Sequence, residues 1–208
     1  MIDDAMRARR SVRRFKPEVP DRELIERVLE AATLAPSASN KQPWRFLVVT
    51  NRALIARAAT AVREAVDRVS GHVPPTLEGT FRAYGDYFTR FETAPVVIVA
   101  LFRTLTVLSN LVDAKLPPGD VARIATMERD SGLIGTALAL QNLMLMAHTL
   151  GLGTSGMTGP LVAADALRAI FEVSPSWEIA ALVPLGFPAD VPPPTSRKPL
   201  GRVLEWRE

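Results

Sequence analysis

The 208-residue chain contains no cysteine and only two histidines, His72 and His148. The absence of cysteine excludes disulfides, thiolate catalysis, iron–sulfur clusters and cysteine-based zinc sites together. A zinc site would then need several carboxylates, for which the sequence shows no spacing motif, so we predict no metal site. Difficult redox chemistry would therefore depend on a bound organic cofactor.

Lysine and aromatic residues are also scarce. Of the 25 basic residues 21 are Arg, the formal net charge is only +3, and aromatics make up 6%. Arg binds phosphates through a planar fork, but abundant Arg also arises from genome composition alone. A charge this small does not by itself indicate nucleic acid. Because 48% of the residues are apolar, the chain can bury a core, and its length predicts a single domain over residues 1–208.

Charged residues are missing altogether between positions 131 and 164. The stretch is long enough to raise the question of a membrane span. However, Gln141, Asn142 and His148 lie inside it, and aromatic belts and basic flanks are absent. We therefore predict a long helix buried on nearly all sides, in a large core or at a subunit interface. The charged N-terminus has no apolar signal-peptide core, which favours a cytoplasmic protein.

The apolar periodicity predicts strands separated by helices. Helices are predicted at 1–14, at 21–35, at 51–70, after residue 120 through 131–150, and at 163–171, and strands at 45–50, 95–101 and 179–185. Residues 71–92 combine turn signals with aromatics, and 103–120 read as an irregular insertion. Without regular βαβ spacing, this order indicates an α+β fold with a central sheet.

Basic clusters stand near both ends of the chain. Residues 9–15, RRSVRRF, place several guanidinium groups and a hydroxyl within one or two helical turns, which suits a dianionic phosphate. The alternatives are a solvated basic face and an arm that contacts nucleic acid. Residues 195–200, TSRKPL, form a second, smaller cluster that could also bind phosphate.

Two polar loops lie between these clusters. Residues 36–44, PSASNKQPW, supply hydrogen-bonding groups of the kind that read a heteroaromatic edge, or else simply form a capped loop with a buried Trp44. Residues 151–160, GLGTSGMTGP, follow a helix, whereas a Rossmann fingerprint follows a strand, so dinucleotide binding of that type is disfavoured. Their glycines permit close approach to a flat ligand, and Gly151 or Gly153 also suits a helix C-cap.

The order of these motifs resembles the nitroreductase family of FMN-dependent enzymes over most of the chain. The resemblance is carried by RRSVRRF, PSASNKQPWRF, QNLMLMA at 141–147, GLGT at 151–154 and the closing segment 186–200. It implies a three-layer α+β sandwich with a central mixed, mainly antiparallel sheet flanked by helices. It also implies an intertwined homodimer with two FMN sites at the subunit interface, the helix 131–150 as dimer core, and residues 186–208 packed on the partner.

The resemblance further implies the roles of individual residues. The FMN phosphate and ribityl chain would be bound by Arg9, Arg10, Ser11 and Arg13, with Arg197 closing from the tail. The residues reaching the flavin from the partner subunit would be Pro36, Ser37, Ala38, Asn40 and Gln42. Those lying against the isoalloxazine, with a backbone N–H near N5, would be Gly156, Met157, Thr158 and Gly159. Gln141 is a further contact, and Ser39 and Thr158 are candidates for substrate contacts.

The reaction implied by the resemblance is ping-pong transfer of electrons from NADH or NADPH, through FMN, to a nitroaromatic, quinone or similar acceptor. No side chain is required as a catalytic acid, base or nucleophile, and we expect neither a nucleic-acid nor a membrane partner. Residues 155–158 depart from the Cys-Trp or Pro-Ile-Glu stretch of many relatives. Alternatives are a dehydrogenase, dehalogenase or flavin-consuming enzyme on the same fold, and a basic nucleic-acid-binding module at residues 7–16.

Overall fold

A four-stranded sheet forms the centre of the fold in the computed structural model, which describes residues 1–113 and 115–208. The strands are β1 (Trp44–Val49), β2 (Val96–Phe102), β3 (Gly153–Thr154) and β4 (Glu178–Gly186). The helices are α1 (Ile2–Ala8), α2 (Arg22–Thr33), α3 (Arg52–Ser70), α4 (Glu78–Gly85), α5 (Pro118–Thr149) and α6 (Ala164–Ile170).

The strands run in the order β1-β2-β4-β3, and all three neighbouring pairs are antiparallel. A parallel bridge joins Ser11 to Thr154 of β3. Every residue of β2 is buried, because the strand has a neighbour on each side and helices over both faces. The uninterrupted apolar run that predicted this strand has the same cause.

Helices cover both faces of the sheet, so the predicted three-layer α+β architecture is confirmed. Alternate residues of β2 point to opposite faces. Ile98 packs in one core with residues of α2 and α5, and Val99 packs in a second core with residues of α3 and α6. The sheet thereby separates α5 from α3. Residues 134–138, in the middle part of α5, lie beside residues 36–38, and the C-terminal end of α5 leads into residues 151–160.

Several elements differ from the sequence-based expectations. Helix α1 ends at Ala8 instead of residue 14, because the following residues run beside β3, where the Val12 N–H donates to the Thr154 carbonyl over 3.0 Å. Helix α5 begins at Pro118, inside the predicted insertion, since proline suits the first helical turn and Asp120 suits the positive helix end. Residues 78–93 are helical, as α4 and a 3-10 segment.

Helix α5 is less buried than predicted. Ile134 is 59% exposed and Leu138 is also exposed, on a face that no other part of the described chain covers. The expectation of a helix buried on nearly all sides is therefore wrong for the single chain, and only the subunit-interface version of it remains. Within residues 1–113 and 115–208, no helix combines the length and apolar character needed to cross a bilayer.

Candidate functional site

The two basic clusters from opposite ends of the chain meet in the fold. Burial, then repulsion from Arg197 and from Arg10, lowers the pKa of Arg9. A cavity of about 180 Å³ beside these groups is lined by Arg9, Arg10 and His148, together with residues 151–154 and the tail residues 188 and 190–192. The like charges concentrated here favour binding of an anion.

Among the residues that the structure describes, these guanidinium groups have no carboxylate partner. Within the described part of the chain, Arg9, Arg10, Arg13 and Arg197 take part in no ion pair. Arg10 donates to three carbonyls at the end of α1, and Arg197 donates to the Thr195 hydroxyl over 2.6 Å. By contrast, the neighbouring Arg14 pairs with Asp190 at 3.3 Å. The cluster therefore keeps an uncompensated positive charge, which suits a phosphate dianion.

A second cavity, of about 360 Å³, adjoins the cluster through Arg13. One wall is made of residues 155–160 and the other of Tyr84, Tyr87 and Phe88. The Arg13 guanidinium lies 5.5 Å from the centre of the Tyr87 ring, and that of Arg90 lies 5.1 Å from it. Because an aromatic face attracts a cation, the contact with Tyr87 favours this position of the Arg13 side chain at the wall of the second cavity.

The glycine-rich loop presents fewer free backbone donors than expected. The Met157 N–H donates to the Leu182 carbonyl, the Leu182 N–H donates back, both over 2.9 Å, and the Met157 side chain is buried. The predicted N–H contact to the flavin cannot therefore come from Met157. Gly156 and Thr158 are exposed, and among the described residues their N–H groups have no protein acceptor.

The local structure requires glycine at positions 159 and 151. A Cβ on Gly159 would overlap the Phe88 ring, so the glycine allows the aromatic segment to pack on the loop. Gly151, with φ of 77°, ends α5 in the left-handed conformation, which decides between the two predicted C-caps.

The loop at residues 36–42 lies apart from the basic cluster within one chain. It contains three non-glycine residues in the left-handed region, Ser39, Asn40 and Gln42, with φ of 50°, 52° and 47°. The Gln42 N–H donates to the Ser37 hydroxyl over 2.9 Å, which closes the loop. Such strained backbone concentrates at functional sites.

This loop adjoins the exposed face of α5. Pro36, Ser37 and Ala38 line a cavity of about 280 Å³ with Ile134 and Leu138. Gln141 is exposed on the same helix. The structure thus brings Arg9, Arg10, Arg13, Arg197 and residues 155–159 together, and leaves residues 36–42 and Gln141 elsewhere.

Tyr84, Tyr87 and Phe88 line the site, although the sequence did not assign them to it. The available signal was the run of aromatics in residues 81–91, in a chain otherwise poor in them. Because turn residues lie on either side of these aromatics, the sequence did not predict the helical segment that places Phe88 against Gly159.

Comparison with known proteins places this architecture in a family. Residues 6–187 match the Nitroreductase family. The NADH dehydrogenase of Thermus thermophilus is 32% identical over 215 residues, covering 96% of this chain and 92% of that protein. A BluB-like flavoprotein from Clostridium difficile 630 has a TM-score of 0.87 at 24% identity, with 100% of this chain and 99% of that chain covered.

Another solved structure of this fold is an iodotyrosine deiodinase bound to FMN and 3-iodo-L-tyrosine. Its TM-score is 0.73 at 24% identity, and 96% of each chain is covered. The match to residues 6–187 and the Thermus relative together decide the assignment. The chain belongs to the nitroreductase family.

Proposed function

We propose that the protein binds FMN and transfers electrons from NADH or NADPH to a small electron-poor acceptor. The observation that carries the proposal is the cluster of Arg9, Arg10, Arg13 and Arg197, which lacks carboxylate partners in the described chain and opens into a cavity with an aromatic wall. A molecule with a phosphate at one end and a flat ring system at the other matches both features. Family membership supports a flavin-dependent oxidoreductase.

The residues of the chain then divide the work of binding. Arg9, Arg10 and Arg197 hold the phosphate, and the Ser11 hydroxyl is a further candidate donor. Arg13, fixed over Tyr87, lies between the phosphate and the ring. The N–H groups of Gly156 and Thr158 are free to contact the ring edge. When bound, FMN supplies the capacity to accept and release hydride and electrons.

We propose that the functional unit is a homodimer. The exposed face of α5 carries Ile134 and Leu138, and the tail beyond Pro192 exposes Val203 and Trp206. Large apolar side chains left open in this way are typical of surfaces that pack against another chain. Dimerisation through α5 would carry Pro36, Ser37, Ala38, Asn40 and Gln42 toward the partner's ring site, with Gln141 on the same surface.

The donor and acceptor follow from family membership and from the cavity walls. The name of the Thermus relative, NADH dehydrogenase, supports a nicotinamide donor. Tyr84 and Phe88, packed edge to face at 4.9 Å, favour a flat acceptor such as a nitroaromatic or quinone. Ser39 and Thr158 are both exposed, and each is a candidate to hydrogen-bond that acceptor.

A second candidate is dehalogenation, dehydrogenation or flavin consumption with a specific metabolite. It is favoured by the deiodinase structure, which shares the fold and holds an aromatic amino acid. The two candidates differ in what the reduced protein accepts.

The test is the absorbance spectrum of the purified protein, followed by anaerobic titration with NADH and NADPH and reoxidation by nitrobenzene. We expect a flavin spectrum that bleaches with a nicotinamide and returns with the acceptor. Flavin absorbance that bleaches with a nicotinamide but does not return with nitrobenzene would favour the metabolite-specific candidate. A colourless protein that does not bind added FMN would overturn the proposal and favour the basic module at residues 7–16, which predicts salt-dependent binding of nucleic acid.

A further inference from the structure

A polar cleft of about 530 Å³ lies where β2 ends, outside the cavities described above. Its walls carry two cations, Lys41 and Arg103, and the hydroxyl groups of Thr104, Thr106 and Ser176. We propose that this Lys41–Arg103 cleft binds a carboxylate or phosphate group of a small-molecule substrate. The proposal rests on the proposed function, because Lys41 belongs to the loop that would face the partner's flavin.

The cleft carries a net positive charge among the described residues that line it. Within the described residues, neither Lys41 nor Arg103 forms an ion pair. Glu178 also lines the cleft, but Arg129 holds its carboxylate through contacts of 2.8 to 3.2 Å. Two cations with hydroxyl donors around them match the oxygen atoms of an anion.

The Arg103 guanidinium is held in place. It lies 5.6 Å from the centre of the Trp177 ring, which favours one orientation of the side chain. The Arg103 N–H donates to the Pro43 carbonyl over 3.1 Å, tying the strand end to the loop that carries Lys41. A Cβ on Gly132 would overlap the Arg103 carbonyl, so the glycine allows α5 to support this contact.

Residues 104–107, which form another wall of the cleft, are fixed by a buried carboxylate. Glu128 of α5 accepts hydrogen bonds from the N–H groups of Val107 and Ser109 over 2.7 and 3.0 Å, and its own carbonyl accepts from Leu105. These bonds hold the segment that carries Thr104 and Thr106. A site whose donors are positioned before binding needs little reorganisation when the ligand arrives.

An anionic group could reach this cleft from two sources. One is a carboxylate on the electron acceptor, and the other is the 2′-phosphate that distinguishes NADPH from NADH. Both would use the same chemistry, with Lys41 as a point charge and Arg103 as a bidentate donor.

The first experiment measures binding without turnover. The purified protein is titrated in a calorimeter with benzoate against benzamide, and with adenosine 2′-monophosphate against adenosine, in the native form and as Lys41→Gln and Arg103→Gln. We expect an anion to bind at least about tenfold more weakly to each variant, as for a lost charged hydrogen bond. The neutral partner should be unaffected, and the anion that responds identifies the source. Arg57→Gln, which removes an exposed charge from α3, is the matched control.

Anion binding that survives both cleft substitutions, or no binding of either anion, would overturn the proposal. Both altered residues are exposed, so the variants should fold. Kinetics then separate the two proposals. If the cleft variants change KM equally for nitrobenzene and 4-nitrobenzoate, and equally for NADH and NADPH, the cleft proposal is overturned. The proposed function is then unaffected. Loss of the proposed function would appear as absent flavin, with anion binding at the cleft still present.

Discussion

Arg9 and Arg197 lie close enough for their charges to repel each other, although they stand near opposite ends of the chain. Repulsion from Arg197 contributes, after burial, to the lowered pKa of Arg9. The described chain supplies no carboxylate to either guanidinium. Like charges held near each other favour the binding of an anion, so this pair supports the proposed phosphate site.

Replacing Arg9 or Arg197 with Gln should weaken FMN binding more than riboflavin binding. Each substitution removes a charged donor to the phosphate, so we expect the FMN dissociation constant to rise by about tenfold to a hundredfold. Riboflavin, which has no phosphate, should bind the variants and the native protein alike. Quenching of flavin fluorescence measures both constants, with Arg57→Gln as control. An equal loss for the two flavins would contradict the assignment.

Substituting Ile134 by Arg should separate the proposed dimer. Its side chain is exposed in the single chain, so the change should leave the fold intact while placing a charge in the interface. Light scattering after size-exclusion chromatography should show a dimer for the native protein and a monomer for the variant. Val69→Arg, on α3 across the sheet, should stay dimeric. A monomeric native protein would refute the dimer.

Glu128→Gln should lower the melting temperature in a way that depends on pH. Burial opposes ionisation of Glu128, but hydrogen bonds from Ser109, Val107 and Leu108 hold its pKa below the ordinary value. A lowered folded-state pKa gives stability that is present above the unfolded pKa of about 4.3 and is lost as pH falls through the folded value.

Thermal melts should therefore show a constant difference in melting temperature between the native protein and Glu128→Gln at about pH 6 to 8, which is well above the unfolded pKa. The difference in melting temperature should narrow as the pH falls below the unfolded pKa. Glu30→Gln, at an exposed position of α2, should melt like the native protein throughout. A difference that widens in acid would contradict a lowered pKa of Glu128 in the folded protein.

Gly159→Ala should destabilise the fold, because the new Cβ would overlap the Phe88 ring. Overpacking of this kind costs about 1–3 kcal/mol, which urea denaturation measures. Adding Phe88→Leu should recover part of the loss if the two residues are coupled. Gly79→Ala is the control of opposite sign: nothing lies within 4 Å of a Cβ there, and alanine favours the helix. Similar losses at both glycines would rule out the Phe88 contact as the cause.

Much of the fold was predictable because its signals are local. The unbroken apolar run of β2 predicted a strand covered on both faces, and apolar periodicity predicted α2 and α3. Arg9 and Arg197 were predicted to act on one phosphate through the family resemblance, and the structure places them together. The two-residue strand β3 was missed, since it exists only through its pairing with β4.

The sequence by itself determined the helices α2, α3 and α6, the buried strands, the lack of cysteine chemistry and the motif order that indicates the family, because each depends on neighbouring residues or on composition. Only the tertiary structure decided that the Met157 N–H is bonded to Leu182, that Tyr87 holds Arg13, and that one face of α5 stays open. Those outcomes depend on contacts between segments far apart in the chain, whose geometry no local pattern records.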